Sequence, residues 1–501
     1  MLSRIITVAF QGIKAVPVEV QVQIANGLPA FSIVGLADKT VAESRERIRS
    51  ALMSIGLSLP PRRITVNLSP ADMQKEGSHF DLPIAIAVLM ALGVIPAEVF
   101  DSYVALGELS LGGDLLPVNG VLPTAFFAAG EGKKIICPFK NGPEASWGGM
   151  QGVLAPLTLI QLINALQGKI ILDSPKPEVQ QRSSEFMDIG LVKGQETAKR
   201  ALEVTAAGGH NLLMIGAPGA GKSLLASCLP GILPELTPQE ALEVSMIHSV
   251  AGVLNDGALL KERPFRAPHH SASMPSLVGG GLKAKPGEIS LAHKGVLFLD
   301  ELPEFQRTTL EALRQPLEAG TVTISRANAH TTYPADVQFI AAMNPCRCGY
   351  GDDLKKACSK APKCIEEYQS KVSGPVMDRI DLKVYMNSMD LDVFRDKVVA
   401  ESSISVKARI LKARERQRIR FERLGIPGGL NANLSQKYME EVCTISPEVE
   451  TFFFAAAQKL SLSARGLFRT LKVARTIADL SDSDEITKAH LSEALAYRLI
   501  G

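Results

Sequence analysis

One stretch limits what this chain can become more than any other. Residues 211–229 read NLLMIGAPGAGKSLLASCL, an apolar run, then a loop of small residues, then the start of a helix. The loop Gly216, Ala217, Pro218, Gly219, Ala220, Gly221, Lys222 and Ser223 matches GxxxxGK[ST]. Small residues let successive backbone N–H groups turn toward phosphate oxygens, and the helix start adds positive dipole character. Lys222 is expected to pair with the β- and γ-phosphates and the Ser223 hydroxyl to ligate magnesium. The strand before and the helix after set the loop apart from an ordinary glycine turn. An α/β fold with ATP and Mg2+ as cofactors is the expectation.

Three later stretches supply the remaining parts of such a site. GVLFLDELPEF makes residues 296–299 a buried strand that ends in Asp300 and Glu301. Adjacent carboxylates there are costly unless metal or water occupies them. Asp300 is read as holding the magnesium shell and Glu301 as polarising the attacking water. DVQFIAAMNPC ends a further strand at Asn344, whose amide can orient water near the γ-phosphate. SGPVMDRIDL carries Arg379 and LSARGLFRTL carries Arg465. Nothing local separates either from a helix-surface arginine, but phosphoryl transfer needs cations to stabilise spreading charge.

With 501 residues, two to four domains are expected. Residues 1–170 read as an α/β domain, 171–186 as a linker, 187–390 as the ATPase core and 391–501 as a helical lid. In the first region Val16, Val18, Val20, Val22 and Ile24 alternate with other residues, and Asn26-Gly27 offers a hairpin turn. A helix is predicted from Thr40 to Ile55, and strands near 64–68, 103–106 and 134–137. DSPKPEVQQRSSEF, residues 173–186, is polar with two prolines, as linkers are.

The net charge of +2 does not announce a nucleic-acid binder, so any such contact must come from a local patch. One candidate is GTVTISRANA, a strand that ends in Arg326 where a hairpin would turn; another is KARILKARERQRIRFERLG, which reads first as a solvated helix. His269 and His270 lack ligands at metal spacing and read as local hydrogen-bonding residues. Cys346, Cys348, Cys358 and Cys364 share one loop and can close a tetrahedral zinc site; the spacing departs from paired CxxC knuckles, which leaves reduced thiols as the alternative. The opening MLSRIITVAFQG is not a convincing signal peptide, and the apolar run of residues 82–95 is short of the roughly 20 residues a bilayer requires. A cytoplasmic protein without membrane contact is expected.

Taken in order, these motifs resemble the ComM/YifB family of magnesium-chelatase-like AAA+ ATPases over essentially the full length. RPFRAPHHSASMPSLVGGG, PGEISLAHKGVLFLDELPEF, LEALRQPLEAG and SGPVMDRIDL carry the resemblance. It implies a P-loop AAA+ core of the helix-2-insert type, shared with the MCM helicases, acting as a homohexameric ring on single-stranded and branched DNA. Gly216–Ser223 would be Walker A, Asp300 and Glu301 Walker B, and Asn344 sensor 1. Arg379 would be a finger reaching a neighbouring subunit, and Arg465 the sensor-2 arginine. Residues 277–291 would form the helix-2 insert, with glycines suited to a mobile loop, and Arg326 would reach the central channel. GELSLGGDLLPVNGVLPTAFFAA is similar to part of the Lon protease fold, but Leu122 stands where the catalytic lysine would be and Ser78 lacks the nucleophile's context. The function implied is an ATP-driven translocase promoting branch migration in recombination and integration of transforming DNA. A chelatase-type motor and an ATP-dependent peptidase are the alternatives.

Overall fold

The computed structural model describes residues 2–148, 152–178, 186–254, 257–281, 284–326, 329–349, 363–387 and 401–498. Alternating Val and Ile residues open the chain and build a seven-stranded sheet. Its strands are Leu2–Gln11, Lys14–Ala25, Ala30–Val34, Arg63–Ser69, Tyr103–Ala105, Lys134–Ile136 and Val153–Leu154. Counted along the chain they lie in the order 3-4-2-1-5-6-7. Val18, Val20 and Val22 are buried, as the alternation predicts.

The hairpin is not where Asn26-Gly27 suggested. Leu2–Gln11 and Lys14–Ala25 form the antiparallel pair, turning at Gly12 with φ 68°. Ala30–Val34 instead runs parallel to Arg63–Ser69, which lies between it and Lys14–Ala25. The reason is burial: Ile64, Val66 and Leu68 all face the core, whereas Ala30–Val34 has no fully buried side chain and occupies the edge.

The predicted helix runs over Lys39–Ser54, with Asp38 accepting from the Val41 N–H at 2.8 Å as its cap. The apolar run becomes the helix Asp81–Ala91, buried from Asp81 to Met90. Asp81 is tolerated there because Arg47 grips both carboxylate oxygens, at 2.6 and 2.9 Å. Among the described residues no helix is long and apolar enough to cross a membrane.

A five-stranded sheet follows, all parallel, in spatial order Phe265–Arg266, Val296–Leu299, Gln338–Met343, Leu212–Gly216, Leu382–Met386. Both faces are covered, which explains the near-continuous apolar strands. Leu212, Met214, Phe298, Ile340 and Val384 face one core, while Leu213, Ile215, Leu299, Phe339 and Ala341 face the other. The first of these cores continues into the C-terminal helices through Ile410, Phe421, Val473, Ile477 and Leu491.

The basic helix is less solvated than its composition suggested. It spans Ser403–Leu424; Arg418 stays exposed and pairs with Glu415 and Glu422 on its own helix, while others reach across to neighbouring elements. Arg409 meets Glu203 and Glu401, Arg416 meets Asp482 and Asp484, and Arg420 meets Asp479. Arg414 donates to the Ala206 carbonyl at 2.7 and 3.0 Å.

Within the insert, Gly279 and Gly287 are packing residues, whereas a β-carbon on Gly281 would meet nothing within 4 Å. Gly279–Gly280 pairs antiparallel with Lys285–Pro286. A β-carbon on Gly287 would sit 2.3 Å from the Gly279 nitrogen, so only glycine allows the two backbones to approach this closely. The next hairpin pairs Thr321–Arg326 with Ala329–Pro334 and is anchored by buried Val322 and Tyr333, whose hydroxyl donates to the Ala284 carbonyl at 3.0 Å.

The two sheets are joined around Glu144. Its carboxylate accepts from Ser249 Oγ at 2.5 Å and from the Leu122 N–H at 3.0 Å, and the Gly120 N–H donates to the Ser249 carbonyl at 3.1 Å. Burial raises the Glu144 pKa, and these hydrogen bonds pull it back. In the linker stretch, residues 179–185 lie outside the described residues. The preceding part is docked: Ser146 Oγ donates to the Pro175 carbonyl at 2.8 Å, and Trp147 Nε1 donates to the Glu178 carbonyl at 3.1 Å.

Candidate nucleotide site

Three neighbouring parallel strands deliver the chemistry to one edge of the five-stranded sheet. Gly216 ends one strand, Asp300 follows Leu299, and Asn344 follows Met343. This is the carboxyl end of the sheet, where open α/β folds bind their ligands. Gly216 must be glycine, because a β-carbon there would meet the Met386 carbonyl oxygen at 2.4 Å. Gly219 and Gly221 adopt φ of 79° and 89°, and a β-carbon at either would meet nothing within 4 Å. They form an open rim that leads into the helix Lys222–Ile232.

Lys222 is buried, and its ammonium protons meet three acceptors: the Gly216 carbonyl at 2.6 Å, the Ala217 carbonyl at 3.0 Å and Asn344 Oδ1 at 3.0 Å. Burial lowers its pKa, opposed by the charges of Asp300 and Glu301. Ser223 Oγ donates to Asp300 Oδ2 at 2.5 Å. The residues expected to share a magnesium shell are therefore already in contact.

Glu301 sits in left-handed backbone space, φ 51°, and its N–H donates to Asp300 Oδ1 at 2.8 Å. Its side chain meets His270, with Nδ1 3.2 Å from Oε2. His270 stacks on His269 at 4.0 Å between ring centroids and turns its ring edge-on to Phe305 at 6.4 Å. His269 matches the local reading, with Nδ1 2.8 Å from Ser271 Oγ. His270 was missed as a site residue. Its partner lies on a different strand, and the only local sign was its position just past the edge strand Phe265–Arg266.

Arg379 and Arg465 are not brought to this loop. Arg379 precedes the strand Leu382–Met386, and its carbonyl accepts from Asn211 Nδ2 at 2.8 Å, just before the strand Leu212–Gly216. Both arginines thus belong to the amino end of the sheet. A five-residue strand, roughly 16 Å long, separates that end from the P-loop. Arg379 is buried, donates to the Pro375 carbonyl at 2.9 Å and pairs with Glu318. Glu318 also lines a cavity of about 1060 Å³ that contains exposed Arg465, together with Asn211, Gln338 and Asp381.

Arg326 ends its strand beside the hairpin tip, and its side chain lies outside the described residues. Cys346, Cys348 and Cys364 converge, with sulfurs within 4.8 Å of one another, while Cys358 lies outside the described residues. Around the first sheet Leu122 is fully buried on a helix, Ser78 donates to Glu108, and Lys75 gives its ammonium to the Pro70 carbonyl.

Comparison with known proteins agrees with this architecture. Residues 188–393 match the family described as magnesium chelatase, subunit ChlI; residues 20–141 match subunit ChlI of Mg-chelatase, and residues 400–498 match its C-terminal part. The chain is 45% identical to the uncharacterized protein YifB of Escherichia coli, over 100% of this chain and 97% of that protein. It is 44% identical to competence protein ComM of Haemophilus influenzae, over 98% and 96% respectively. A more distant similarity, 24% identity over 38% of this chain and 22% of the other, is to the DNA replication licensing factor mcm7 of Xenopus tropicalis. The chain belongs to the magnesium-chelatase ChlI-like family, alongside YifB and ComM.

Proposed function

We propose that this protein is an ATP-driven DNA translocase, a homohexameric ring that promotes branch migration during recombination and the integration of transforming DNA. The observation that carries the ATPase part is the pairing of Lys222 with Asn344 and of Ser223 with Asp300 at the ends of adjacent parallel strands. The residues fit Mg-ATP. The loop has an open glycine rim at a helix start, and the hydroxyl and carboxylate are hard oxygen donors of the kind magnesium takes.

In this reading, Ser223 and Asp300 would hold Mg2+, which would supply positive charge to the phosphates, and Lys222 anchors them. Asn344 orients the attacking water, and Glu301, steadied by His270, polarises it. Arg379 and Arg465 serve the site of the next subunit, since both lie at the far end of their own sheet. Arg326 contacts DNA phosphates in the channel without reading bases. Cys346, Cys348, Cys358 and Cys364 hold structural zinc. The assignment to DNA is supported by the ComM and mcm7 similarities.

The unit 1–170 is read as Lon-like and used for assembly or DNA binding, followed by the linker 171–186, the ATPase 187–390 and the helical part 391–501, in a cytoplasmic protein. Buried Leu122 and the Ser78–Glu108 pair disfavour a peptidase, because leucine stands where the resemblance puts the lysine and the Ser78 hydroxyl is engaged by Glu108. A chelatase-type motor is the second reading, favoured by the family matches themselves. ATP hydrolysis measured without DNA, with single strands and with forks separates the two. Stimulation by DNA, strongest with forks, is expected. A rate indifferent to every DNA tested would remove the DNA reading.

A further inference from the structure

The cysteine turn is built against the P-loop. The Gly349 N–H donates to the Cys346 carbonyl at 3.0 Å and closes the turn. Gly349 has φ 85°, and a β-carbon on it would lie 2.6 Å from both Cδ and Cγ of Pro218, the third residue of the loop. The turn therefore rests directly on the Pro218 ring, at a separation that only glycine permits. At its other end, Cys346 follows two residues after Asn344, the partner of Lys222. One short segment thus touches the phosphate loop at Pro218 and reaches its lysine through Asn344. Gln369 Nε2 braces this segment by donating to the Pro345 carbonyl at 3.3 Å, from the helix Lys363–Gln369 that also carries Cys364.

We propose that a zinc ion held by the thiolates of Cys346, Cys348 and Cys364 fixes the wall of the P-loop, so that metal occupancy sets nucleotide affinity. The proposal rests on the nucleotide and zinc readings given above. Tetrahedral zinc with bonds of about 2.3 Å spaces its thiolates roughly 3.8 Å apart. The three sulfurs lie within 4.8 Å of one another, Cys346 and Cys348 at 2.9 Å, so small side-chain rotations bring them to that spacing around one ion; Cys346 is fully buried. Soft thiolates select zinc over magnesium, so the two metals in one subunit do not compete. On binding, each of these thiols would give its proton to solvent as its S–Zn bond forms, with no change of oxidation state and the fourth position left to Cys358. The ion would add a bond between the helix that carries Cys364 and the turn, over and above the Gln369 brace, and so hold the turn against Pro218.

The test uses the full-length chain, its metal content and the affinity for a fluorescent ATP analogue in the presence of magnesium. Wild type should carry about one zinc per chain. Cys348→Ser, at an exposed position, should lose the zinc and bind nucleotide about tenfold more weakly. Gly349→Ala should keep its zinc yet bind equally weakly, because it disturbs the contact with Pro218 and leaves the thiols alone. Zinc added to chelator-stripped wild type should restore affinity, and melting temperatures confirm that each variant is folded. Unchanged affinity in zinc-free folded protein overturns the proposed control while leaving both site readings intact. Wild type that neither contains nor takes up zinc overturns the metal reading. Wild type that binds no nucleotide overturns the nucleotide reading.

Discussion

At the residue scale, Glu301 carries the most information. A glutamate in left-handed backbone space costs on the order of 1 kcal/mol, so something must hold it there. The Asp300 carboxylate takes its N–H, and His270 takes its side chain. Glu301→Gln should keep nucleotide affinity near wild type and slow hydrolysis roughly a hundredfold or more, because the amide cannot polarise water while the loop is intact. Lys222→Ala should weaken nucleotide binding itself. Equal hydrolysis rates for Glu301→Gln and wild type would show that the water is activated elsewhere. The loop residues and the acid pair were legible in the sequence because their chemistry is contiguous: a cradle needs neighbouring N–H groups, and a strand end needs adjacent carboxylates. His270 was not legible, since its meaning comes from a residue about thirty positions away that only the sheet brings near.

At the scale of elements, alternation was a faithful guide and pairing was not. Val322 and Ile324 turn to one side of the hairpin as their spacing predicts, with Val322 buried and Ile324 packed against the same core. Asn26-Gly27 misled because a turn signal marks a place where the chain can reverse and does not name the strand's partner. The partner of Lys14–Ala25 was decided by the burial of Ile64, Val66 and Leu68 from a later segment. The insert glycines carry two meanings at once, since close backbone approach and mobility call for the same residue type. Gly287→Ala should accordingly destabilise the protein by about 1–3 kcal/mol, read as a lower melting temperature, because the new carbon meets backbone that cannot move aside cheaply. An unchanged melting temperature would favour a mobile insert after all.

The hairpin itself makes a separate prediction. Arg326→Ala should leave basal ATP hydrolysis nearly intact, reduce its stimulation by DNA and abolish branch migration, with a shallower salt dependence of DNA binding. Arg326→Lys should keep part of the function, since a point charge suffices for a phosphate contact. Normal branch migration by assembled Arg326→Ala rings would remove the residue from the channel.

For the whole molecule, the decisive feature is that the cations and the phosphate loop occupy opposite ends of one sheet. Lys222 lies beyond the carboxyl ends of the strands, whereas Arg379 and Arg465 lie at their amino ends, next to the cavity that Glu318 lines. No local pattern in the sequence could reveal this, because which end of a strand a motif occupies depends on the strand order. In the proposed ring a chain so arranged would offer half of a site on each side, and side-by-side packing of copies would complete each site from two chains. Arg379→Ala alone and Lys222→Ala alone should each be inactive. Mixed and allowed to form rings together, they should recover part of the ATPase rate, because some interfaces then pair an intact loop with an intact arginine. Recovery should rise and then fall as the mixing ratio moves away from either pure variant. If mixed rings form, shown by differently tagged chains copurifying, and the rate stays at zero at every ratio, the arginine does not act across the interface. Its pairing with the exposed Glu318 would then be its full role, a buried arginine held at the amino end of the sheet by a solvent-facing carboxylate.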